Sequence, residues 1–232
     1  MNSLGVNADF FSSLAGIVVI DLILAGDNAV VIAMAVRALP KALRRRGILF
    51  GSAAAVLLRV LITFFVARLL ALDYVKLAGG IAILWIAVKL FVEDEESAET
   101  HHEVASFWHA IRMIVIADIT MSLDNMLAVG AASHGNFFLL LFGLGLSIPF
   151  IVFTSSLLSS LMDRYPFIIY IGAALLGKVG GEMIIGDPVV IRFLSPTAFV
   201  THSVELCCAV CVIIIGRILV KRDLAKQAGV PD

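Results

Sequence analysis

Seven long apolar segments, each close to the length that crosses a bilayer, dominate this sequence. A spanning helix needs about 20 mostly apolar residues, because the hydrocarbon core is about 30 Å thick and a helix rises about 1.5 Å per residue. Hydrophobic residues make up 61% of the chain and charged residues 15%, which is more apolar than a soluble domain. We therefore predict an all-α, polytopic helical membrane protein, a single membrane domain over residues 1–232. The segments are 11–36, 47–71, 74–92, 107–132, 136–160, 166–186 and 198–220.

Basic residues cluster at two places that bound the apolar segments. Five of them lie within residues 37–46, and Arg217, Lys221, Arg222 and Lys226 follow the last segment. Lys and Arg favour the cytoplasmic side of a membrane. Because seven spans separate the chain ends, we expect the N-terminus outside and the C-terminus inside, in a multi-pass protein of the cell membrane. No Lys or Arg precedes Asp9, which argues against a cleaved signal peptide.

The first and fourth segments carry the same polar string. The recurring residues are Asp21, Asp27 and Asn28 in the first and, each 97 residues later, Asp118, Asp124 and Asn125 in the fourth. The third and sixth segments resemble each other more weakly. Residues 11–92 and 107–186 therefore predict two three-helix repeat units, with 198–220 as an extra helix. A unit with three spans places the next unit in the opposite orientation, the inverted repeat typical of secondary transporters.

Four aspartates within apolar segments need a physical explanation, since each costs about 2.5–3.5 kcal/mol at the centre of a span. One explanation is structural: the aspartates pair with Arg59, Arg68 or Lys89. The other is functional: the aspartates face one another around a cation. The recurrence of the whole string in both halves favours the functional interpretation, because structural ion pairs need not repeat.

The donor atoms of the two strings suit a hard divalent cation such as Mg²⁺, Ca²⁺ or Mn²⁺, which prefers oxygen ligands. The six side chains match an octahedral site in number. Within each string the first aspartate and the asparagine are seven positions apart and share a helix face. The second aspartate reaches that face only if the helix unwinds locally, beside Gly26 in the first string and Ser122 in the second. Such breaks occur in transporters near the midplane.

Four further charged residues are candidate accessory gate or proton residues: Arg59, Lys178, Glu182 and Glu205. Arg59 either neutralises the aspartates until a cation arrives or holds one of them as a fixed structural pair. The two glutamates either accept protons or pair with Lys178, Arg192 or His202 at an interface. Desolvated carboxylates favour the protonated form, so cation binding should release protons. Exchange of the cation against H⁺ is therefore a hypothesis.

The two strings resemble those of the TerC family of integral membrane proteins. The resemblance rests on residues 21–28, on residues 118–125 with the Leu123-Asp124-Asn125 core, and on a glycine-rich string from Gly172 to Gly177 followed by Gly181-Glu182-Met183. It implies a role in Mn²⁺ efflux, with the six residues of the strings lining the cation pathway. Lys178 departs from the apolar or aromatic residue expected at its position, which bears on ion selectivity.

Other functions remain as alternatives. One is an exporter of another small cationic solute, although the strings lack nearby aromatic residues. A second is a membrane thiol oxidoreductase that uses Cys208 and Cys211, and a third is a scaffold for another protein. The acidic, histidine-containing loop 93–103 is either a metal sensor or a solvated linker.

The remaining expectations concern partners and cofactors. No nucleophile–base pair or cofactor motif indicates an enzyme, and we expect no permanently bound cofactor. The net charge of −1 gives no sign of a nucleic-acid partner. The expected partners are the metal cation, as transported substrate, and the lipid bilayer. The oligomeric state stays open.

Overall fold

The computed structural model describes residues 8–63, 65, 74–100, 106–133 and 136–227, without the side chains at 8–12, 23–25, 96–100, 124, 127, 128, 131 and 224–227. These residues form eight α-helices and no strand, which confirms the predicted all-α class. The helices are α1 (Ala8–Arg37), α2 (Lys41–Thr63), α3 (Val75–Thr100), α4 (Phe107–Ala132), α5 (Phe137–Arg164), α6 (Phe167–Ile185), α7 (Pro188–Leu194) and α8 (Ala198–Gln227).

Several of these helices can cross a membrane. Within the described residues, α2, α3, α5, α6 and α8 are each long and apolar enough, and the two halves of α1 together make a sixth candidate. The helix α4, which carries Asp118, is not among them. The multi-pass architecture is thus confirmed, while the count of seven spans stays a prediction.

The helices extend beyond the predicted spans where charged residues begin. α2 starts at Lys41 and not at residue 47, and α8 continues to Gln227 beyond residue 220. Hydrophobicity marks only the part of a helix that lies in hydrocarbon, whereas backbone hydrogen bonding continues into the polar region. Arg68, one of the possible partners of the aspartates, lies outside the described residues.

The short helix α7 was not predicted, although its sequence carries a start signal. The Asp187 carboxylate caps this helix, accepting a hydrogen bond from the Val189 backbone N–H at 2.9 Å, and Pro188 occupies the first turn. Both features are typical of helix N-termini. The second oxygen of Asp187 accepts from the Leu77 N–H at 3.0 Å, in the first turn of α3. Asp187 is fully buried, so one carboxylate joins the ends of two helices.

The second half of α1 forms the centre of the bundle. Every residue from Ala29 to Val36 is buried, as expected of a helix that is surrounded by other helices. The outer surface, in contrast, exposes large apolar side chains such as Phe138, Phe153 and Leu206. An apolar exterior around a packed interior is what a lipid environment favours, because lipid tails solvate these side chains.

The contacts between helices fix their relative directions. α1 and α5 run parallel, since Ile17 packs at Gly143 and Arg37 binds Asp163. α2 and α4 also run parallel: Gly51 faces Ile114 and Gly130 faces Thr63. The short connection after Arg37 turns α2 back along α1, so α1 and α4 are antiparallel.

The most extensively packed pairs are α6 with α8, α1 with α5, α3 with α6, and α2 with α4. The pairs α1–α5 and α2–α4 would exchange under a two-fold axis that relates the predicted units, as would the two partners in α3–α6. This pattern is compatible with the inverted repeat, whose boundaries at 11–92 and 107–186 stay a prediction.

Glycines allow the helices around α6 to approach closely. A Cβ atom at Gly177 would lie 2.7 Å from the Cα of Ala209 and 2.9 Å from the carbonyl oxygen of Cys208, both in the α8 backbone. A Cβ atom at Gly80 of α3 would lie 2.6 Å from the carbonyl oxygen of Gly180. Small residues at these positions therefore allow the close helix contacts that are common in membrane proteins.

Arginine and aspartate side chains tie four helices together where α1 ends and α2 begins, which we call the basic end. Arg37 donates to Asp94 of α3 at 3.2 Å and to Asp163 of α5 at 3.0 Å, and Arg44 of α2 also binds Asp163. Arg44 additionally donates to the Arg37 backbone oxygen at 2.7 Å. We call these four side chains the basic-end cluster; its Asp94 is 1% exposed.

Replacing Gly177 by Ala should destabilise the bundle by about 1–3 kcal/mol, because the new methyl group meets backbone that cannot rotate away. Gly145→Ala is the matched control, since nothing lies within 4 Å of a Cβ atom there. Unfolding in detergent, followed by circular dichroism against denaturant, measures both. Equal stability of the two variants would contradict the close α6–α8 contact.

Replacing Arg37 by Gln should cost about 3–5 kcal/mol, because it removes the guanidinium that binds the buried Asp94 carboxylate. Asp163→Asn should cost about 1 kcal/mol or less, since the Asp163 side chain is 34% exposed. The double variant Arg37→Leu/Asp94→Leu, which buries no unpaired charge, should be more stable than Arg37→Gln. The same denaturant unfolding assay ranks the three variants; the reverse order would show that the pair is not buried in the folded protein.

Candidate cation site

Two of the predicted site residues meet at one arginine in the interior of the bundle. The Arg59 guanidinium, from α2, contacts the carboxylates of Asp21 on α1 and Asp118 on α4. Its Nη1 donates to Asp21 Oδ1 and its Nη2 to Asp118 Oδ1, while its Nε lies 3.4 Å from Asp118 Oδ2. All three residues are buried, with 2%, 2% and 5% exposure for Asp21, Arg59 and Asp118. We call this arrangement the Arg59 bridge.

The bridge follows from where its residues lie along their helices. Asp21 and Asp118 are near the middle of α1 and α4, and these antiparallel helices therefore bring the two carboxylates to the same level. Arg59 lies on the buried face of α2 together with Val56, Val60 and Thr63. A guanidinium carries five N–H donors in a fixed plane, so it can bind two carboxylates from different helices at once.

The Asp-Asn pairs of the two strings lie on opposite sides of the bridge. At about 1.5 Å per residue, Asn28 is about 10 Å from Asp21 along α1, towards the basic end. Asn125 is equally far from Asp118 along α4, but in the other direction, because the helices are antiparallel. The six residues therefore occupy three levels in this arrangement, and do not form one octahedral shell.

The individual side chains agree with this distribution. Asp27 is exposed, Asn125 is half-buried, and Asn28 is buried with its Nδ2 atom unpaired. The side chain of Asp124 lies outside the described residues. Among the side chains that the structure describes, no three or more His, Cys, Asp or Glu residues are grouped as metal ligands. Membership of the six residues in one cation pathway stays a prediction.

The expected local unwinding is not observed beside Ser122, whereas directly before Gly26 the axis of α1 bends sharply. α1 is helical throughout, but its halves Ser13–Leu22 and Gly26–Arg37 are inclined at 53° to each other. α4 is helical from Phe107 to Ala132, across Ser122. The change in direction of α1 thus lies between Asp21 and Asp27, where the sequence predicted a break.

A row of buried serines on α5, which the sequence analysis missed, runs from the bridge towards the basic end. Ser147, Ser155 and Ser159 share one buried face of this helix, and the Oγ atoms of Ser155 and Ser159 have no hydrogen-bond partner among the described residues. Ser159 and Asp163 also line a groove of 370 Å³ at the basic end, with Lys41 and Arg44. The spacing of eight and four residues within an apolar helix was a readable signal of a polar face.

The other candidate accessory residues lie between α6 and α8. Lys178 and Glu205 line a groove of 420 Å³, and Glu182 and Glu205 line a second of 570 Å³. Glu205 is buried and lies 3.3 Å from the Nδ1 atom of His202, the interfacial pairing that was one of its two alternatives. No contact between these residues and the Arg59 bridge is present in the described part of the chain.

The structural explanation of the aspartates applies in part. Arg59 pairs with Asp21 and Asp118, as that explanation required, but it binds both and not one. Lys89 instead lies 3.9 Å from Glu93 and over the Trp85 ring. Asp21 Oδ2 remains buried without a hydrogen-bond partner among the described residues. One positive charge therefore faces two carboxylates.

Among the side chains that the structure describes, the cysteines and the acidic segment form no group of metal ligands. The sulfur atoms of Cys207 and Cys211, one helical turn apart on the exposed face of α8, are 4.0 Å from each other, whereas Cys208 packs against Gly181. The pair Cys208 and Cys211, which the thiol alternative invoked, is not the pair in contact. The segment 93–103, expected to be a loop, is helical as far as Thr100, because α3 continues beyond its apolar part. Its Glu93 binds His109 at 3.0 Å, and residues 101–105 lie outside the described residues.

Comparison with known proteins identifies the family. The model of the "Integral membrane protein TerC family" matches residues 6–224. The uncharacterized membrane protein YjbE of Bacillus subtilis is 43% identical over 187 residues, which cover 81% of this chain and 85% of YjbE. The UPF0053 inner membrane protein YgdQ of Escherichia coli K12 is 26% identical over 193 residues, 75% of this chain and 80% of YgdQ. No solved structure matches. With nearly its whole length matched by the family model, the chain belongs to the integral membrane protein TerC family.

Proposed function

We propose that this protein transports a divalent metal cation across the cell membrane, most specifically that it exports Mn²⁺. The observation that carries the proposal is the meeting of Asp21 and Asp118, from the two matching strings, in the interior of the bundle. Buried carboxylates within a membrane protein mark ion pathways more often than structural pairs.

The charges at the bridge support a role beyond stability. A structural ion pair needs one carboxylate for one guanidinium, whereas here a second buried carboxylate adds to the desolvation cost. Replacing the three charged residues by apolar ones would remove that cost altogether. Their presence is explained if the carboxylates bind a cation during transport.

The donor atoms support the class of substrate. Carboxylate, amide and hydroxyl oxygens lie along α1, α4 and α5, and these are the ligands of hard divalent cations. Within this class, Mn²⁺ is the ion that the resemblance to the TerC family implies. Coupling to protons stays a hypothesis, and an imposed pH gradient across proteoliposomes that leaves transport unchanged would exclude it.

The alternative of a small organic cation fits less well. Such a substrate needs a pocket of several hundred Å³ with apolar or aromatic lining. The grooves of 420 and 570 Å³ lie between α6 and α8, not at the aspartates. The thiol oxidoreductase alternative predicts that Cys208→Ser/Cys211→Ser abolishes function, whereas cation transport should tolerate both changes.

Replacing Asp118 by Asn should abolish Mn²⁺ export, because an amide cannot supply the negative charge that compensates a divalent ion. Asp21→Asn should have the same effect, and Asp223→Asn, an aspartate near the end of α8, is the matched control. The measurement is cellular Mn²⁺ content, with survival in added Mn²⁺, in a host that lacks its own exporter. Membrane levels of all variants are matched by immunoblot.

Each outcome of this assay is decisive. Lower Mn²⁺ content with wild type and Asp223→Asn, but not with the Asp21 and Asp118 variants, supports the proposal. No effect of wild type would exclude Mn²⁺ export by this protein. Equal export by all four proteins would show that the buried aspartates are structural.

A further inference from the structure

We propose that Arg59 is a tethered competitor of the transported cation: the divalent ion binds Asp21 and Asp118 only when the guanidinium leaves them. This inference rests on the proposed function. It says that Arg59 compensates the charge of the two carboxylates whenever no cation is bound. Arg59 is thus a positioning and specificity-determining residue.

The first argument is a count of carboxylate oxygens. Arg59 contacts Oδ1 of Asp21 and both oxygens of Asp118, so three of the four oxygens of the two aspartates face the guanidinium. Only Asp21 Oδ2 receives no bond from the guanidinium. A hard divalent cation takes about six oxygen ligands. It cannot bind both aspartates closely while Arg59 holds three of their oxygens.

The second argument concerns charge. Two carboxylates and a divalent cation sum to zero, whereas the same carboxylates, the cation and the guanidinium would leave one uncompensated positive charge in a buried position. Coulomb repulsion at such short distances is large where water is excluded. The guanidinium and the cation therefore exclude each other electrostatically as well as sterically.

The third argument concerns the return step of the transport cycle, in which the cation-free protein changes the side of the membrane to which its site is open. Two bare carboxylates in the bundle interior would be very costly, and Arg59 lowers that cost by binding both. Removing its charge should strengthen cation binding but slow the return step. Replacing a residue that merely stabilises the fold would not produce tighter cation binding together with a slower return step.

The test compares wild type with Arg59→Gln and Arg59→Lys, purified in detergent and reconstituted in proteoliposomes. Arg217→Gln is the matched control, because Arg217 is an arginine of α8 that binds the Tyr170 hydroxyl and not the bridge. Mn²⁺ alone is the probe: its Kd is measured calorimetrically, and radioactive Mn²⁺ separates net efflux from exchange of Mn²⁺ for Mn²⁺. Arg59→Gln should bind Mn²⁺ about tenfold more tightly, since one buried competing charge is removed. Its net efflux should fall at least about fivefold while exchange persists.

The controls define the remaining outcomes. Arg59→Lys, which keeps the charge, should stay near the wild-type Kd, and Arg217→Gln should match wild type in every assay. Unchanged or weaker Mn²⁺ binding by folded Arg59→Gln, beside an active wild type, would overturn this inference alone. A wild type that neither binds nor moves Mn²⁺ would overturn the proposed function, and this inference with it.

A second comparison covers the case in which Arg59→Gln does not fold. The double variant Asp118→Asn/Arg59→Gln carries the same net charge at the bridge as wild type, and is compared with Asp118→Asn alone. Tighter Mn²⁺ binding by the double variant is expected if Arg59 competes for Asp21. Equal or weaker binding would contradict the competition.

Discussion

A guanidinium held between two carboxylates, inside a bundle whose outer surface is apolar, is the interaction on which the rest of the architecture depends. None of the three ions tolerates hydrocarbon alone, so α1, α2 and α4 must converge where Asp21, Arg59 and Asp118 lie. The packing around them reflects this demand: the second half of α1 is buried on all sides. The outer helices, in contrast, present apolar side chains to lipid.

Much of the fold was readable from the sequence, because hydrophobic length and the repeated strings are local properties. Asp21 and Asp118, from the two matching strings, meet at Arg59, which was among their candidate partners. The joint role of all six residues in one cation pathway stays a prediction. Identical strings on antiparallel helices must diverge from their common centre, so Asn28 and Asn125 lie about 20 Å apart along the helices.

Other features depend on which helices contact each other, and a single sequence does not show this. Periodicity shows which residues share a face, but not which helix that face meets. The contact of Arg37 with Asp163 joins residues 126 positions apart, and nothing local announces it. Of the two helix caps that Asp187 provides, only the cap of α7 could be predicted, because Asp-Pro is a known start signal. The hydrogen bond from Leu77 in α3 is a consequence of tertiary packing.

The buried serines of α5 connect the two charged clusters of the bundle. Ser155 and Ser159 lie between the level of the bridge and Asp163, and their unpaired hydroxyls give one side of the interior a polar lining. The basic-end cluster crosses the end of that lining with four interlocked side chains. Ser159 itself lines the groove at the basic end, so the polar face of α5 reaches that groove.

The Arg59 bridge has a further consequence, because its symmetry is incomplete. Asp21 and Asp118 are equivalent under the predicted repeat, but the offset of 97 residues that relates them places Ser156 opposite Arg59. Only the first unit therefore supplies an arginine to the bridge. If the two units exchange conformations, the two orientations of the protein are not equal in energy, since the guanidinium approaches the aspartates from a fixed side. One residue without a counterpart in the second unit would then give an otherwise symmetric transporter a preferred resting orientation, and so a preferred direction of transport.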